Sequence, residues 1–113
     1  MTKVTIYHNP RCSQSRQTLA LLREHGIEPE IIEYLQNPPD VNQLQDIASR
    51  LNVEPQELVR TKEHRALGIE DPQTTRGWLE HMAKNPQIIQ RPIVVKGKNA
   101  CLGRPPENVL EMI

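Results

Sequence analysis

The stretch Tyr7–Leu19 constrains the fold more than any other part of this sequence. A short apolar alternation ending at Tyr7 runs into Asn9 and Pro10, a strong turn signal, and Cys12 comes just before an apolar helical run. A thiol at the junction of a strand and a helix lies against unpaired backbone N–H groups and the positive end of the helix dipole. Both favour thiolate over thiol, and the same N–H groups can hold an oxyanion beside the sulfur. We therefore expect Cys12 to be the reactive nucleophile of this protein.

The order of the predicted elements is typical of an α/β fold. The first third predicts a parallel βαβ unit with a right-handed crossover, formed by a strand at 3–7, a helix at 10–25 stopped by Gly26, and a strand at 30–35. The last third predicts a ββα unit, formed by a strand at 91–95, a turn at 96–99, a strand at 100–102 and a helix after Pro106. Together these units predict a four-stranded mixed sheet flanked by helices.

The middle of the chain predicts helices. Asp40 and Gln43 have the spacing of a capping box, Pro55 can begin a short helix, and Thr74 or Thr75 can cap a further one. The polar stretch from Thr61 to Asp71 has no clear assignment. At 113 residues the chain is one domain, with a helical insertion at about residues 40–88.

Charge balance, the length of apolar runs and the number of cysteines argue against several classes of protein. Fourteen basic residues balance fourteen acidic ones, so no polyanion-binding surface for nucleic acid is expected. No apolar run is long enough for a signal peptide or a membrane span. Two cysteines far apart in sequence argue against a disulfide framework, and we expect a cytoplasmic monomer. A metal site is not expected, because Cys12 and His8 lack two further ligands at ordinary spacing.

Several residues are placed by this topology around the thiol. If the 91–95 strand pairs antiparallel with the first strand, Arg91 and Pro92 arrive beside the Cys12 loop, where a cis bond before the proline is plausible. Arg104 flanks the same end of the hairpin. His8 either caps the strand or supports the thiolate electrostatically, and Ser15 either bonds to the helix backbone or donates to the sulfur.

These motifs together resemble the glutaredoxin-linked arsenate reductase (ArsC) family. The matching residues extend almost from end to end and are His8-Asn9-Pro10, Cys12, Ser15-Arg16, Tyr34-Leu35, Asn37-Pro38-Pro39, Leu58-Val59-Arg60, Arg91-Pro92-Ile93-Val94-Val95 and Gly103-Arg104-Pro105. The resemblance implies a thioredoxin-like fold with a helical insertion. It also implies arsenate reduction, in which Cys12 attacks arsenate, glutathione acts as co-substrate, a glutaredoxin restores the enzyme, and no cofactor is bound.

Three arginines of the family pattern fall on Arg60, Arg91 and Arg104. Physical reasoning supports such a set, because guanidinium groups offer paired N–H donors and stay charged beside a thiolate and an oxyanion. Arg60 lies in the helical middle and depends on the resemblance alone.

Two other functions remain open at this point. One is monothiol oxidoreductase chemistry of the glutaredoxin type, since Cys12 and Ser15 form a Cys-x-x-Ser pattern. The other is a regulator that binds RNA polymerase, like the Spx relatives of the family, although these usually carry Cys-x-x-Cys. Cys101, between Ala100 and Leu102, is interpreted as a packing residue, with a resolving thiol as the alternative.

Overall fold

The structure, a computed structural model, describes residues 3–113 and divides into two compact units. The first unit takes in the chain up to Asn37 together with Arg91–Ile113, and the second is Pro38–Gln90. The second unit covers the segment in which the sequence predicts helices, and its regular elements are α-helices and 3₁₀ helices.

The first unit is built on a four-stranded mixed sheet. The strands are β1 Val4–His8, β2 Glu30–Glu33, β3 Ile93–Lys96 and β4 Asn99–Leu102, in the order β2-β1-β3-β4. β1 pairs parallel with β2 and antiparallel with β3, and β3 pairs antiparallel with β4. The predicted fold class is therefore confirmed, including the antiparallel pairing of β3 with β1.

One helix covers the sheet along a shared apolar core. The helix α1 spans Ser13–Glu24, and its Leu19 and Leu22 pack with Val4, Ile6, Val94 and Val109. Side chains alternate along a strand, so His8 lies on the same buried face of β1 as Val4 and Ile6. This alternation explains why a histidine is almost fully buried at the end of the strand that leads to Cys12.

Several boundaries in this unit differ from the sequence prediction. α1 begins at Ser13 rather than Pro10, because the Cys12 N–H donates to the Asn9 carbonyl at 3.0 Å and closes a turn first. β2 ends at Glu33, whose carbonyl accepts from the next turn. The last helix is a 3₁₀ helix, Pro106–Glu111.

The second unit confirms both predicted helix caps. The helix α2, Val41–Leu51, has a complete capping box in which the Gln43 N–H donates to the Asp40 carboxylate at 2.8 Å and the Asp40 N–H donates to the Gln43 amide oxygen at 2.9 Å. The Thr74 hydroxyl accepts from the Gly77 N–H at 2.9 Å. The further elements are the 3₁₀ helix Pro55–Leu58, the helix α3 Thr61–Ala66, the helix α4 Thr75–Lys84 and the 3₁₀ helix Pro86–Ile88.

The segment without a sequence assignment holds a buried histidine that bonds to a second histidine in α4. His64, in α3, bonds through Nε2 to the Asp71 carboxylate at 2.9 Å and through Nδ1 to Nε2 of His81, in α4, at 3.1 Å. The Trp78 ring meets the His64 ring edge to face, with centroids 5.1 Å apart. Burial lowers the pKa of His81, the neighbouring His64 and Lys84 lower it further, and Asp71 opposes them.

The helices of the described chain are short. α1 has 12 residues, against the roughly 20 that span a bilayer. Within residues 3–113 no helix combines the length and the apolar character needed to cross a membrane.

The histidine pair predicts a pH-dependent stability. Because the pKa of His81 in the folded chain is below its ordinary 6.5, the unfolded chain binds a proton that the folded chain excludes. The free energy of unfolding should therefore fall as the pH drops from about 7 to about 5. His81→Gln keeps an N–H donor for His64 without the titration and should make this slope shallower.

Urea unfolding at a series of pH values measures the slope. His25→Gln, which replaces an exposed histidine, is the matched control and should leave it unchanged. If wild type and His81→Gln had equal slopes, the pH dependence of stability would not come from His81.

Candidate active site

Cys12 is the N-cap residue of α1. Its backbone is extended, with φ −90° and ψ 122°, and its carbonyl accepts from the Arg16 N–H at 3.0 Å as the first helical bond. The backbone N–H groups at the start of a helix have no partner within the helix and carry its positive dipole end. Cys12 therefore occupies the junction that the sequence predicts for a reactive thiol.

The surroundings of the Cys12 sulfur favour the thiolate. Partial burial alone would raise the pKa of this thiol, but the Ser15 N–H, a hydrogen bond from the Arg91 side chain, the Gln14 N–H and the Arg91 charge together outweigh it. The net result is a pKa below the ordinary thiol value. A larger fraction of Cys12 is then nucleophilic at neutral pH than for a free cysteine.

His8 contacts the Cys12 loop through Ser15. The His8 Nδ1 lies 2.6 Å from the Ser15 Oγ, and the same oxygen accepts from the Asn9 N–H at 3.0 Å, with all three residues buried. Burial lowers the pKa of His8, and Arg23 and Arg16 add to this effect against Glu33. At neutral pH His8 is thus a neutral ring that holds Ser15, and Ser15 acts on the sulfur through its backbone N–H.

Two of the three predicted arginines are joined by a hydrogen bond. Arg91 reaches the Cys12 sulfur, and the Arg104 Nη1 donates to the Arg91 carbonyl at 3.2 Å. Both side chains are half-buried. The Arg91–Pro92 peptide bond is cis, as the position of Pro92 at the start of a strand suggests, and so is the Arg104–Pro105 bond.

Arg60 belongs to the second unit. It is the N-cap residue of α3, and its N–H donates to the Ile88 carbonyl at 2.6 Å. Its Nη2 lies 3.2 Å from the Glu63 carboxylate. An oxyanion-binding role for Arg60 stays a prediction.

Cys101 has the opposite environment to Cys12. It lies in β4 opposite Val94 and packs against the core of the first unit. Burial, with a smaller contribution from Glu111, raises the pKa of this thiol to about 11. Such a thiol is protonated at neutral pH and is a poor nucleophile, which supports packing over a resolving role.

Several residues that shape the turn before Cys12 and the first turns of α1 are not predicted from the sequence. The Asn9 side chain accepts from the Arg11 N–H at 3.0 Å, and the Arg16 Nη1 donates to the Pro10 carbonyl at 2.9 Å, so both fix the turn before Cys12. Thr18 is buried in α1 beside Ser15. A signal was present, because Ser15 and Thr18 are polar residues on the helix face that otherwise carries leucines.

Comparisons with known proteins agree with this geometry. A model of the ArsC family matches residues 7–112. The chain is 46% identical over 118 residues to the uncharacterized protein YfgD of Escherichia coli (strain K12), covering 100% of this chain and 99% of that protein. It is 43% identical over 114 residues to an arsenate reductase of Haemophilus influenzae, covering 97% and 98% of the two chains.

A solved structure shows the same fold. The structure of an arsenate reductase from Vibrio cholerae superposes with a TM-score of 0.92 at 42% identity, covering 99% of this chain and 98% of that one. The sequence resemblance to this family is therefore confirmed.

Arg91 should set the acidity of Cys12. Arg91→Ala removes both a hydrogen bond to the sulfur and a positive charge, so the pKa of Cys12 should rise towards that of a free thiol. The measurement is the ultraviolet absorbance of the thiolate against pH, in a Cys101→Ser background that leaves one thiol. Arg11→Ala removes an exposed arginine from the same loop and should leave the midpoint unchanged, whereas an unshifted midpoint in Arg91→Ala would contradict the assignment.

Proposed function

Because the chain belongs to the ArsC family, we propose that it is an arsenate reductase in which Cys12 is the nucleophile. The observation that carries this proposal is the Cys12 thiol, whose pKa is lowered by the Ser15 and Gln14 N–H groups and by Arg91. A thiolate beside a guanidinium is suited to attack on an oxyanion, since the arginine offsets the repulsion between the two negative groups.

The proposed chemistry begins with a bond between sulfur and arsenic. The Cys12 thiolate attacks As(V), a sulfur–arsenic bond forms, and one arsenate oxygen leaves as water after protonation. Arg91 and Arg104 bind the arsenate oxygens and stabilise the charge that develops on the leaving oxygen. The paired donation of a guanidinium suits a tetrahedral oxyanion, and Arg104 is held beside Arg91 by its bond to the Arg91 carbonyl.

Two electrons must then reach arsenic, and we assign them to two external thiols. Glutathione attacks arsenic in the Cys12 adduct, so that a second As–S bond forms and another oxygen leaves as water. A glutaredoxin thiolate then attacks the glutathione sulfur, and the bond from that sulfur to arsenic breaks with its electron pair left on arsenic. The mixed disulfide of glutaredoxin and glutathione leaves, so As(V) becomes As(III) with the two electrons that the two thiols lose. Water finally hydrolyses the bond between As(III) and Cys12, which releases arsenite and restores the Cys12 thiol. The environment of Cys101 supports the assignment of both electrons to external thiols. Its raised pKa makes Cys101 a poor reductant for the arsenic adduct within this chain.

The acidity of Cys12 by itself also suits monothiol disulfide exchange. The pair Arg91 and Arg104 favours arsenate, since disulfide exchange has no evident need for a second arginine whose side chain bonds to the Arg91 carbonyl. No observation of the described residues favours a polymerase-binding regulator over an enzyme.

The test is a coupled assay that contains the protein, arsenate, glutathione, a glutaredoxin and an NADPH-dependent glutathione reductase. We expect arsenate-dependent NADPH oxidation that is lost in Cys12→Ser. Removal of one oxyanion donor commonly costs about 3 kcal/mol of transition-state stabilisation, so Arg91→Ala and Arg104→Ala should each lower kcat/KM for arsenate by roughly 100-fold.

Arg76→Ala is the matched control for this assay. Arg76 lies in α4 and is exposed, and its Nε is 3.4 Å from the Glu80 carboxylate. This variant should retain wild-type turnover. Turnover in Cys12→Ser would remove the mechanism, and disulfide reduction without arsenate turnover would favour the monothiol oxidoreductase.

A further inference from the structure

Thr18 connects the two halves of the candidate site. Its hydroxyl donates to the Gln14 carbonyl at 2.8 Å and lies 3.3 Å from the Gly103 carbonyl, and the residue is fully buried. Gln14 belongs to the first turn of α1, whose N–H groups favour the thiolate. Gly103 directly precedes Arg104. One hydroxyl therefore contacts both the turn that holds the sulfur and the turn that carries an arginine.

Gly103 is required by close approach rather than by backbone conformation. It is buried, and a Cβ at this position would lie 2.5 Å from the Thr18 Oγ1, 2.9 Å from the Thr18 Cγ2 and 2.8 Å from the Pro92 Cγ. Its N–H donates to the Pro92 carbonyl at 3.0 Å. The chain at 103 is thus held between the Thr18 side chain and the Pro92 ring, with no room for a methyl group.

The contact at Gly103 borders both Arg91 and Arg104. Pro92 follows Arg91 in sequence, and Arg104 follows Gly103 and donates to the Arg91 carbonyl at 3.2 Å. Any shift of the chain at 103 away from α1 also moves Arg104. Such a shift weakens the hydrogen bond from the Arg104 side chain to the Arg91 carbonyl. Arg91 is the residue whose side chain reaches the Cys12 sulfur.

We infer that Thr18 and Gly103 are positioning residues, which fix the distance between the start of α1 and the turn that carries Arg104. They do not touch the reacting atoms. They act on Cys12 through Arg91, and on a bound oxyanion through Arg91 and Arg104. The role in oxyanion binding depends on the proposed arsenate reductase function, whereas the effect on Cys12 does not.

The first test is the variant Gly103→Ala. A methyl group at 103 must displace the Thr18 side chain, the Pro92 ring or the chain at 103. Because each of these shifts disturbs the contact that positions Arg91 and Arg104, Arg91 should lose its contact with the sulfur and the pKa of Cys12 should rise. Displacement of catalytic groups by about 1 Å can cost up to roughly 100-fold in rate, and we expect kcat/KM for arsenate to fall by at least about tenfold. A folded Gly103→Ala protein with unchanged Cys12 pKa would overturn the inference.

The second test asks whether the two residues act together. Thr18→Ala removes two of the three atoms that a Cβ at 103 would meet, so the double variant should recover part of both the thiolate acidity and the arsenate activity lost in Gly103→Ala. Two independent residues would give additive losses. Additive losses in the double variant would therefore overturn the inference.

Thr18→Val covers the case in which Gly103→Ala fails to fold. Valine keeps the shape of threonine without the hydroxyl, so the protein should fold while the contact to the Gln14 and Gly103 carbonyls is lost. We expect a raised Cys12 pKa and a several-fold higher KM for arsenate. Val109→Ala, a buried site in the same core, serves as the control for lost stability and should leave the Cys12 pKa unchanged.

The readouts separate this inference from the proposed function. If wild-type protein does not turn over arsenate, the proposed function fails, and the Cys12 pKa in the Thr18 and Gly103 variants still tests the positioning role. If wild-type protein turns over arsenate and Thr18→Val changes neither the pKa nor the KM, the positioning role fails by itself.

Discussion

The stabilisation of one sulfur anion is the interaction on which the rest of the site depends. Cys12 is partly buried, and burial by itself disfavours a charged thiolate. Helix N–H groups and the Arg91 guanidinium reverse that preference. Cys101 shows what the same fold does to a thiol without such partners, because its pKa rises to about 11. The contrast between two thiols in one unit identifies the local donors, rather than the fold as a whole, as the cause of the lowered pKa of Cys12.

The sheet brings those donors together from distant parts of the sequence. Tyr7 in β1 pairs with Ile93 in β3, so the end of the first strand adjoins the start of the third. The Cys12 turn follows the first of these strands and Arg91 precedes the second. Arg104 then arrives through the β3–β4 hairpin and bonds to the Arg91 carbonyl. The antiparallel pairing of β1 and β3 is therefore the structural reason that the Cys12 sulfur and the Arg91 side chain meet.

Local patterns predicted much of this from the sequence. Strand alternation, the capping signals at Asp40 and Thr74 and the turn before Cys12 depend on neighbours within a few residues, and the structure has each of them. The predicted start of α1 is three residues too early, because Pro10 suits both a turn and the first position of a helix, and the hydrogen bond from the Cys12 N–H to the Asn9 carbonyl selects the turn.

Long-range contacts were beyond such patterns. The close approach of Gly103 to Thr18 joins residues 85 apart in sequence. The bond between His64 and His81 depends on how two helices pack within the second unit. The polar Thr18 on an apolar helix face marks one end of the first contact, but composition and periodicity do not identify the partner residue in either contact.

The most direct test of the central claim is the selective alkylation of the native protein by iodoacetamide at neutral pH, with the modified cysteine identified by peptide mass spectrometry. A thiolate stabilised by helix N–H groups and Arg91 predicts that Cys12 reacts first, and that Cys101 stays unmodified while the chain is folded. Equal rates at the two cysteines, or faster reaction at Cys101, would contradict the account.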